Sequence, residues 1–198
     1  MPERAIPHLN YDLILKLIEP GSTVLDLGCG DGELLYRLKK EKKALGRGVD
    51  IEEAMVRKCI ARGLSVFQGN LDEGLKDYET ASYDYVILNQ TLQVTHKPVL
   101  VLSEMLRVGR KAVVSFPNFG YYRLRFQLLL GGQMPVTREL PHQWYDTPNI
   151  HLCTRKDFLV YCRQNGIPIE RIVDIGRRTP WPNLSAAEVI FILRSKAA

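Results

Sequence analysis

The chain lacks the features that would tie it to a membrane or to an oxidising compartment. No apolar run approaches the roughly 20 residues needed to span a bilayer, and no basic stretch followed by an apolar signal region opens the sequence. The expectation is a cytoplasmic protein without membrane contact. Only four cysteines occur in 198 residues, Cys29, Cys59, Cys153 and Cys162. None stands at Cys-x-x-Cys spacing, so no disulfide framework is written into the chain and no metal site is expected. Reduced, mostly buried thiols follow, with Cys29 in a small apolar packing role. Internal repeats and low-complexity segments are also missing. What remains, at 45% apolar content, is enough to bury one sizeable core and too little for two ordinary domains. Residues 1–198 are therefore expected to form a single domain.

The formal charge of +5 is unevenly placed. Residues 1–118 balance 16 basic against 16 acidic side chains, whereas residues 119–198 hold 11 and 6. Such a bias suits an anionic substrate, an acidic partner surface or nucleic acid, and is equally common on an ordinary solvated surface.

Hydrophobic periodicity supplies the elements. Tyr11 to Glu19 carries Leu13, Ile14, Leu17 and Ile18 on one helical face and stops at Pro20-Gly21. The pattern then predicts a strand at Thr23 to Leu27, a helix at Gly32 to Lys43, a strand at Gly46 to Asp50, a helix at Glu52 to Arg62 and a strand at Leu64 to Gln68. Tyr83 to Leu88 is the fourth strand, Lys97 to Val108 a helix with Pro98 in its first turn, and Ala112 to Phe116 an almost wholly apolar strand of the kind buried on both faces. A helix near Arg155 to Asn165 and strands near Ile167 to Asp174 and Glu188 to Leu193 complete the chain, the last two as a hairpin-like edge. Alternation of this kind implies an α/β fold, a doubly wound, mostly parallel Rossmann-like sheet with an antiparallel C-terminal edge strand. Asn118 to Ile150 is the least regular segment and the candidate insertion.

In such sheets ligands gather beyond the carboxyl ends of the strands, where strand order reverses. There the first strand runs into Val24-Leu25-Asp26-Leu27-Gly28-Cys29-Gly30-Asp31-Gly32-Glu33. Glycines in that turn accept backbone angles closed to other residues and put no Cβ between main chain and ligand. Asp50, closing the second strand, is placed to accept both hydroxyls of an adenosine ribose. NAD is the rival ligand, but its fingerprint needs a third glycine where Glu33 stands, and a helix start free for pyrophosphate. Asp26, Asp31 and Glu33 crowd that helix start with carboxylates. They fit S-adenosylmethionine, which has a sulfonium, an ammonium and no phosphate. The plainer alternative is that Asp31 and Glu33 only cap the helix.

This turn resembles motif I of class I S-adenosylmethionine-dependent methyltransferases, with Asp50 matching their acidic residue after the second strand. The resemblance implies that Asp26, Gly28, Cys29 and Gly30 contact the methionine moiety, that Asp50 and Ile51 take ribose and adenine, and that Asn70 and Leu71 flank the adenine. Asn70 stands where many relatives have aspartate, which keeps an acceptor for the adenine amino group and removes a charge. Over nearly the whole chain, Gly28 to Leu35, Leu71-Asp72-Glu73-Gly74-Leu75, Ser115-Phe116-Pro117-Asn118-Phe119-Gly120 and Trp144 to His151 are similar to the MetW family of methionine-biosynthesis proteins. That likeness implies S-adenosylmethionine or S-adenosylhomocysteine as cofactor and a role beside homoserine O-acetyltransferase. It leaves open a methyl transfer to a small-molecule substrate and a regulatory, non-catalytic accessory subunit of the acyltransferase.

An in-line methyl transfer depends on alignment and water exclusion more than on acid–base groups. Asn89 and Gln90, after the fourth strand, are expected on the ligand side. Gln93, His96, Tyr122 and His151 are the weak catalytic candidates, His96 as a base or equally as a surface helix cap. The aromatics of residues 118–151 suit a lid over an acceptor pocket or a partner-docking surface. Tyr121-Tyr122-Arg123-Leu124-Arg125-Phe126 interleaves basic and aromatic residues as single-strand binders do. Against a base-amine methyltransferase, Asn89-Gln90-Thr91-Leu92 lacks the Pro-Pro-aromatic sequence that follows Asn or Asp in those enzymes, and no nucleic-acid partner is expected.

Overall fold

The structure, a computed structural model, describes residues 9–137, 140–176 and 179–195. The elements in chain order are α1 (Leu9–Leu17), β1 (Thr23–Leu27), α2 (Glu33–Lys42), β2 (Leu45–Asp50), α3 (Glu53–Ala61), β3 (Ser65–Gln68), β4 (Tyr83–Asn89), α4 (Pro98–Val108), β5 (Gly109–Pro117), α5 (Tyr122–Gly131), α6 (Arg155–Gln164), β6 (Ile169–Gly176), α7 (Pro182–Ser185) and β7 (Ala186–Arg194). Single 3-10 turns lie at Leu71–Glu73 and Leu92–Val94.

The seven strands form one sheet in the order β3-β2-β1-β4-β5-β7-β6. β1 pairs in parallel with both β2 and β4, so the chain leaves β1 in one direction and returns on its other side. That reversal puts the carboxyl ends of β1 and β4 at the switch point where such sheets bind ligands. β7 runs antiparallel to β5 and to β6, and β6 closes the edge outside it.

Alternate residues of the buried strands feed two cores. Leu25, Leu27, Val86, Leu88, Val114 and Phe116 face α4 and α6, while Val24, Tyr85, Ile87, Val113 and Ile190 face α1 and α2. Phe116, Phe158 and Phe191 meet at centroid distances of 5.2, 4.7 and 5.9 Å. Each such ring contributes roughly 2–3 kcal/mol of burial, which fixes α6 against the ends of β5 and β7.

Two departures from the expected pattern have local causes. Strand and helix cease to alternate between β3 and β4, where only a 3-10 turn intervenes. Arg107 holds this crossover, donating to the carbonyls of Leu75 and Tyr78 at 2.8 Å each while paired with Glu104 at 2.7 Å. The second is α5, a ten-residue helix inside the segment expected to be irregular. Only Leu124 of α5 is buried, and Phe126, Leu128, Leu129 and Leu130 are exposed. A helix without one apolar face gives no 3.6-residue signal.

Candidate functional site

The β1 turn is latched to β2 through its main chain. Gly28 and Cys29 N–H both donate to the Val49 carbonyl, at 2.8 and 3.1 Å, and Gly30 N–H donates to Asp50 Oδ2 at 2.7 Å. Gly28 has φ +69°, and a Cβ there would lie 2.6 Å from the Thr91 side chain in the loop after β4. Gly30 has φ +55°, and the direction its Cβ would take is open space. The turn therefore closes on its own fold at Gly28 and leaves a gap at Gly30. Cys29 carries its thiol away from the turn into a small cluster with Leu35, Val56, Cys59 and Val66, and burial pushes that thiol far above its ordinary range. It offers the turn only its backbone.

Asp26, the last but one residue of β1, is 2% exposed. Burial, with the charge of Asp50 second, pushes its carboxyl up to about 7. Among the described residues it accepts no hydrogen bond. Tyr11 of α1 stands close enough to be affected by it, with its phenol raised by burial first and then by Asp26, Asp31 and Glu33. A cation is the partner such a carboxylate favours, and none pairs with it among the described residues.

Asp31 and Glu33 do not complete a three-carboxylate cradle. Arg62, just beyond α3, pairs with Glu33 at 2.9 Å and Asp31 at 3.4 Å. Asp31 Oδ1 also accepts the Glu33 N–H at 3.2 Å, so Asp31 engages the first N–H of α2, while the Glu33 carboxylate turns to Arg62. One N–H of the helix start, that of Glu33, is thus already engaged where pyrophosphate would have to sit.

Asp50 Oδ1 accepts the Glu52 N–H at 2.9 Å, leaving each carboxylate oxygen a further lone pair. Ile51 beside it is 62% exposed, an apolar surface facing solvent at the sheet's carboxyl edge. Asn70 is exposed and its Oδ1 caps the 3-10 turn by accepting the Asp72 N–H at 3.0 Å, with Leu71 half-buried behind it.

The loop after β4 carries strain. Gln90 has φ +55°, a left-handed angle that costs a non-glycine residue roughly 1–2 kcal/mol. Its N–H is held at 3.1 Å by both the carbonyl and the hydroxyl of Ser115. Ser115 Oγ in turn donates to Asn89 Oδ1 at 2.6 Å, and Asn10 Nδ2 of α1 donates to Ser115 Oγ and to Glu188 of β7. Asn10, Tyr11, Ser115 and Glu188 were not among the site residues expected from sequence. Their signal is a polar side chain on an otherwise apolar face, plainest at Ser115 within Ala112 to Phe116.

The catalytic candidates do not converge. His96 is exposed and only its backbone is engaged, its N–H donating to Asp72 Oδ2 at 3.1 Å beside the start of α4. Tyr122 is half-buried at the start of α5, its ring 4.8 Å from that of Tyr121. His151 is exposed, and its N–H and that of Ile150 both donate to the Gln93 carbonyl, at 3.0 and 2.7 Å. That pair of bonds ties the end of the insertion to the loop after β4. At its beginning, fully buried Asn118 donates to the carbonyls of Asn183 and Ala186 and accepts from the N–H groups of Gly120 and Arg155. Trp144 and Tyr145 are 73% and 70% exposed.

Known proteins match this arrangement along most of the chain. The family model described as methionine biosynthesis protein MetW matches residues 8–193. The chain belongs to the MetW family. A bifunctional methionine biosynthesis protein MetXA/MetW from Rhodopirellula baltica is 35% identical over 202 residues, covering 94% of this chain and 32% of that protein. The chain thus spans about a third of the length of the curated relative it matches. Among solved structures, a Thermotoga maritima S-adenosylmethionine-dependent methyltransferase aligns at 17% identity with a TM-score of 0.67, over 96% of this chain and 89% of that one. An S-adenosylmethionine-dependent methyltransferase from Mesorhizobium loti gives 17% and 0.67, over 92% and 96%. The cyclase SpnF gives 17% and 0.68, over 94% and 80%. At these identities the likeness establishes the methyltransferase fold, and a cyclase in the same set illustrates that the fold alone does not specify the reaction. Among the described residues no helix is long and apolar enough to cross a membrane.

Proposed function

We propose that this chain binds S-adenosylmethionine, or S-adenosylhomocysteine, at the carboxyl ends of β1, β2 and β4, and that it acts in methionine biosynthesis by methyl transfer to a small-molecule acceptor. The observation that carries the proposal is the gap at Gly30 in the turn that follows the buried carboxyl of Asp26, which accepts no hydrogen bond among the described residues. Asp26, Gly28, Cys29 and Gly30 would hold the methionine moiety, with Asp26 supplying the countercharge to its ammonium. Asp50 and Ile51 would take the ribose and adenine, and Asn70 and Leu71 the adenine edge. Asn89 and Gln90 would border the methyl group, Gln90 fixed in its strained angle by Ser115. When bound, the cofactor supplies a methyl group activated by a cationic sulfur. The residues of this chain would orient it and exclude water. A cytoplasmic setting accords with a biosynthetic family and with four free cysteines.

A second reading, a regulatory accessory subunit of homoserine O-acetyltransferase, is favoured by large apolar side chains left in solvent on α5 and in the segment after it. Leu129, Leu130, Trp144 and Tyr145 are between 70% and 81% exposed, and aromatic and apolar residues of this kind concentrate at partner interfaces. The two-part MetXA/MetW relative lends it support. Calorimetry with S-adenosylmethionine and with NAD tests the cofactor, and mass spectrometry of the mixture tests turnover. Formation of S-adenosylhomocysteine with a methylated metabolite supports the enzyme. A change in the acylation rate of the copurified acyltransferase on adding S-adenosylmethionine, without turnover, supports the accessory subunit. Binding of NAD and not of the sulfonium compound would overturn both.

A further inference from the structure

On the sheet face opposite α1 and α2, a cavity of about 250 Å³ opens between α4, α6, the end of β5 and residues 140–153. Buried Leu92, Leu102, Phe116, Leu140 and Phe158 form its floor, and carbon makes up nearly all of its surface. Three of the polar side chains on its wall are turned away or already used. Gln93 keeps its Oε1 buried and donates its Nε2 to the Gln90 carbonyl at 2.8 Å, so neither amide atom is offered to a ligand. Asp157 accepts the Thr154 N–H at 3.1 Å and hydroxyl at 2.7 Å at the start of α6. The Cys153 thiol, pushed up to about 12 by burial, is neutral and donates to the Thr154 carbonyl at 3.3 Å.

The other three stand at the mouth. His151 is exposed, and Asn149 and Tyr161 are half-buried. Among the described residues no hydrogen bond engages the Asn149 amide, the His151 ring or the Tyr161 hydroxyl. Together they offer donors and acceptors side by side, and His151 is the one lining group among the described residues able to become a cation. An apolar hollow with a few polar groups at one end is the usual form of a small-molecule site. Water is a poor filling for the floor, since buried waters need two to four polar partners, and roughly 150 Å³ walled by leucine and phenylalanine is enough to hold benzene.

We propose that this cavity binds a compact ligand with an aromatic or branched apolar body and a single polar end, the body on the floor and the polar end at the mouth beside Asn149, His151 and Tyr161. At about 250 Å³ it has room for a benzene ring and a short arm. A molecule polar at both ends is disfavoured, because one end would be buried against carbon without a partner. None of Asp26, Gly28, Gly30 and Asp50 lines the cavity, so the site is separate from the cofactor turn and does not depend on methyl transfer. Its occupant also has a mechanical effect. The N–H groups of Ile150 and His151 donate to the Gln93 carbonyl at 2.7 and 3.0 Å, and both residues belong to the segment that walls the cavity. Filling the cavity pins that segment to the loop after β4.

The test is a titration of the full chain, with methyl-labelled leucine and no cofactor present, using 4-methylbenzyl alcohol and 1,4-benzenedimethanol, a pair of nearly one shape that differs by a second hydroxyl. The expected result is saturable shifts at the Leu92, Leu102, Leu140 and Leu152 methyls with the monoalcohol, none at the exposed Leu45 and Leu129, and binding at least about fivefold weaker for the diol. Hydrogen exchange at the Ile150 and His151 amides slows about tenfold once the monoalcohol stands at roughly ten times its Kd, because the segment opens only when the cavity empties. Val99→Trp, at a lining residue 59% exposed and so outside the core, abolishes the shifts. Equal affinity for the two alcohols, shifts at Leu45 and Leu129 as large as at the lining methyls, unchanged exchange with the cavity full, or no shift up to the solubility of the monoalcohol would overturn the proposal. These arms use the unaltered chain and decide it even where Val99→Trp fails to fold.

Discussion

The carboxyl of Asp26 makes cofactor affinity depend on pH in a direction that can be worked out in advance. Its ordinary value is 3.8, and burial with the nearby charge of Asp50 raises it to about 7. A cationic ligand beside it requires the ionised form, so binding expels a proton wherever Asp26 is protonated beforehand. At pH 6 about nine in ten free sites hold that proton, and affinity stands roughly tenfold below its plateau, about 1.4 kcal/mol. Affinity therefore rises as pH rises through 7 and levels off beyond it. The ligand's own amine ionises near pH 8, so the window to read is roughly pH 5.5 to 7, where it stays charged. Calorimetry in two buffers of different ionisation enthalpy gives the proton count directly, with about 0.9 released per site at pH 6. Asp26→Asn removes the slope and the proton release. Stability of the ligand-free chain moves the other way. A carboxyl raised on folding leaves the native state holding more protons than the unfolded one between its two values, so stability falls as pH rises from about 4 to 7, by up to about 4 kcal/mol. In Asp26→Asn that fall disappears, and the variant melts higher than the parent at pH 8. Affinity flat from pH 5.5 to 7, with heats independent of buffer, would refute the role given to Asp26.

Three further outcomes follow from the same geometry. Gly30→Ala costs roughly 1–2 kcal/mol of stability for a left-handed alanine yet loses most cofactor binding, because its methyl enters the gap; thermal melts beside calorimetry separate the two, and retained affinity would show the gap to be empty of ligand. Asp50→Ala weakens binding by roughly 1–3 kcal/mol, measured by calorimetry, and unchanged affinity would move the ribose elsewhere. Asn118→Ala, which strands the four groups bonded to that side chain, destabilises the chain by about 3 kcal/mol in urea unfolding, while the midpoint stays unmoved if Asn118 does not bracket the insertion.

Much of this was legible because it is local. The β1 turn declares itself through glycines within five residues, and Asp50 through its place at the end of the next strand. The sheet could be read from apolar runs separated by amphipathic ones. Long-range pairing could not be read this way. Arg62 lies 31 residues from Asp31, and without it Asp31 and Glu33 look like free charge facing a ligand. Asn10 and Glu188 are 178 residues apart and meet only because α1 covers the ends of β5 and β7. The helix α5 escaped for the opposite reason, since its leucines crowd one stretch of sequence and leave most of their surface in solvent.

The pairing by Arg62 narrows the electrostatic case without reversing it. With Asp31 and Glu33 sharing Arg62, the trio keeps a net charge of −1, and discrimination falls mainly to Asp26, which is buried where the other two side chains are 44% and 31% exposed. A surface carboxylate paired with arginine contributes little toward choosing a ligand, because water screens it. An unpaired carboxylate in the low-dielectric end of a parallel sheet interacts several-fold more strongly with whatever charge is brought beside it. It attracts a cation and repels a phosphate by the same factor. A pyrophosphate would also find the first N–H of α2 already taken by Asp31. Choice of ligand charge thus rests chiefly on Asp26, which is why the proton count there is the measurement that bears most directly on the cofactor.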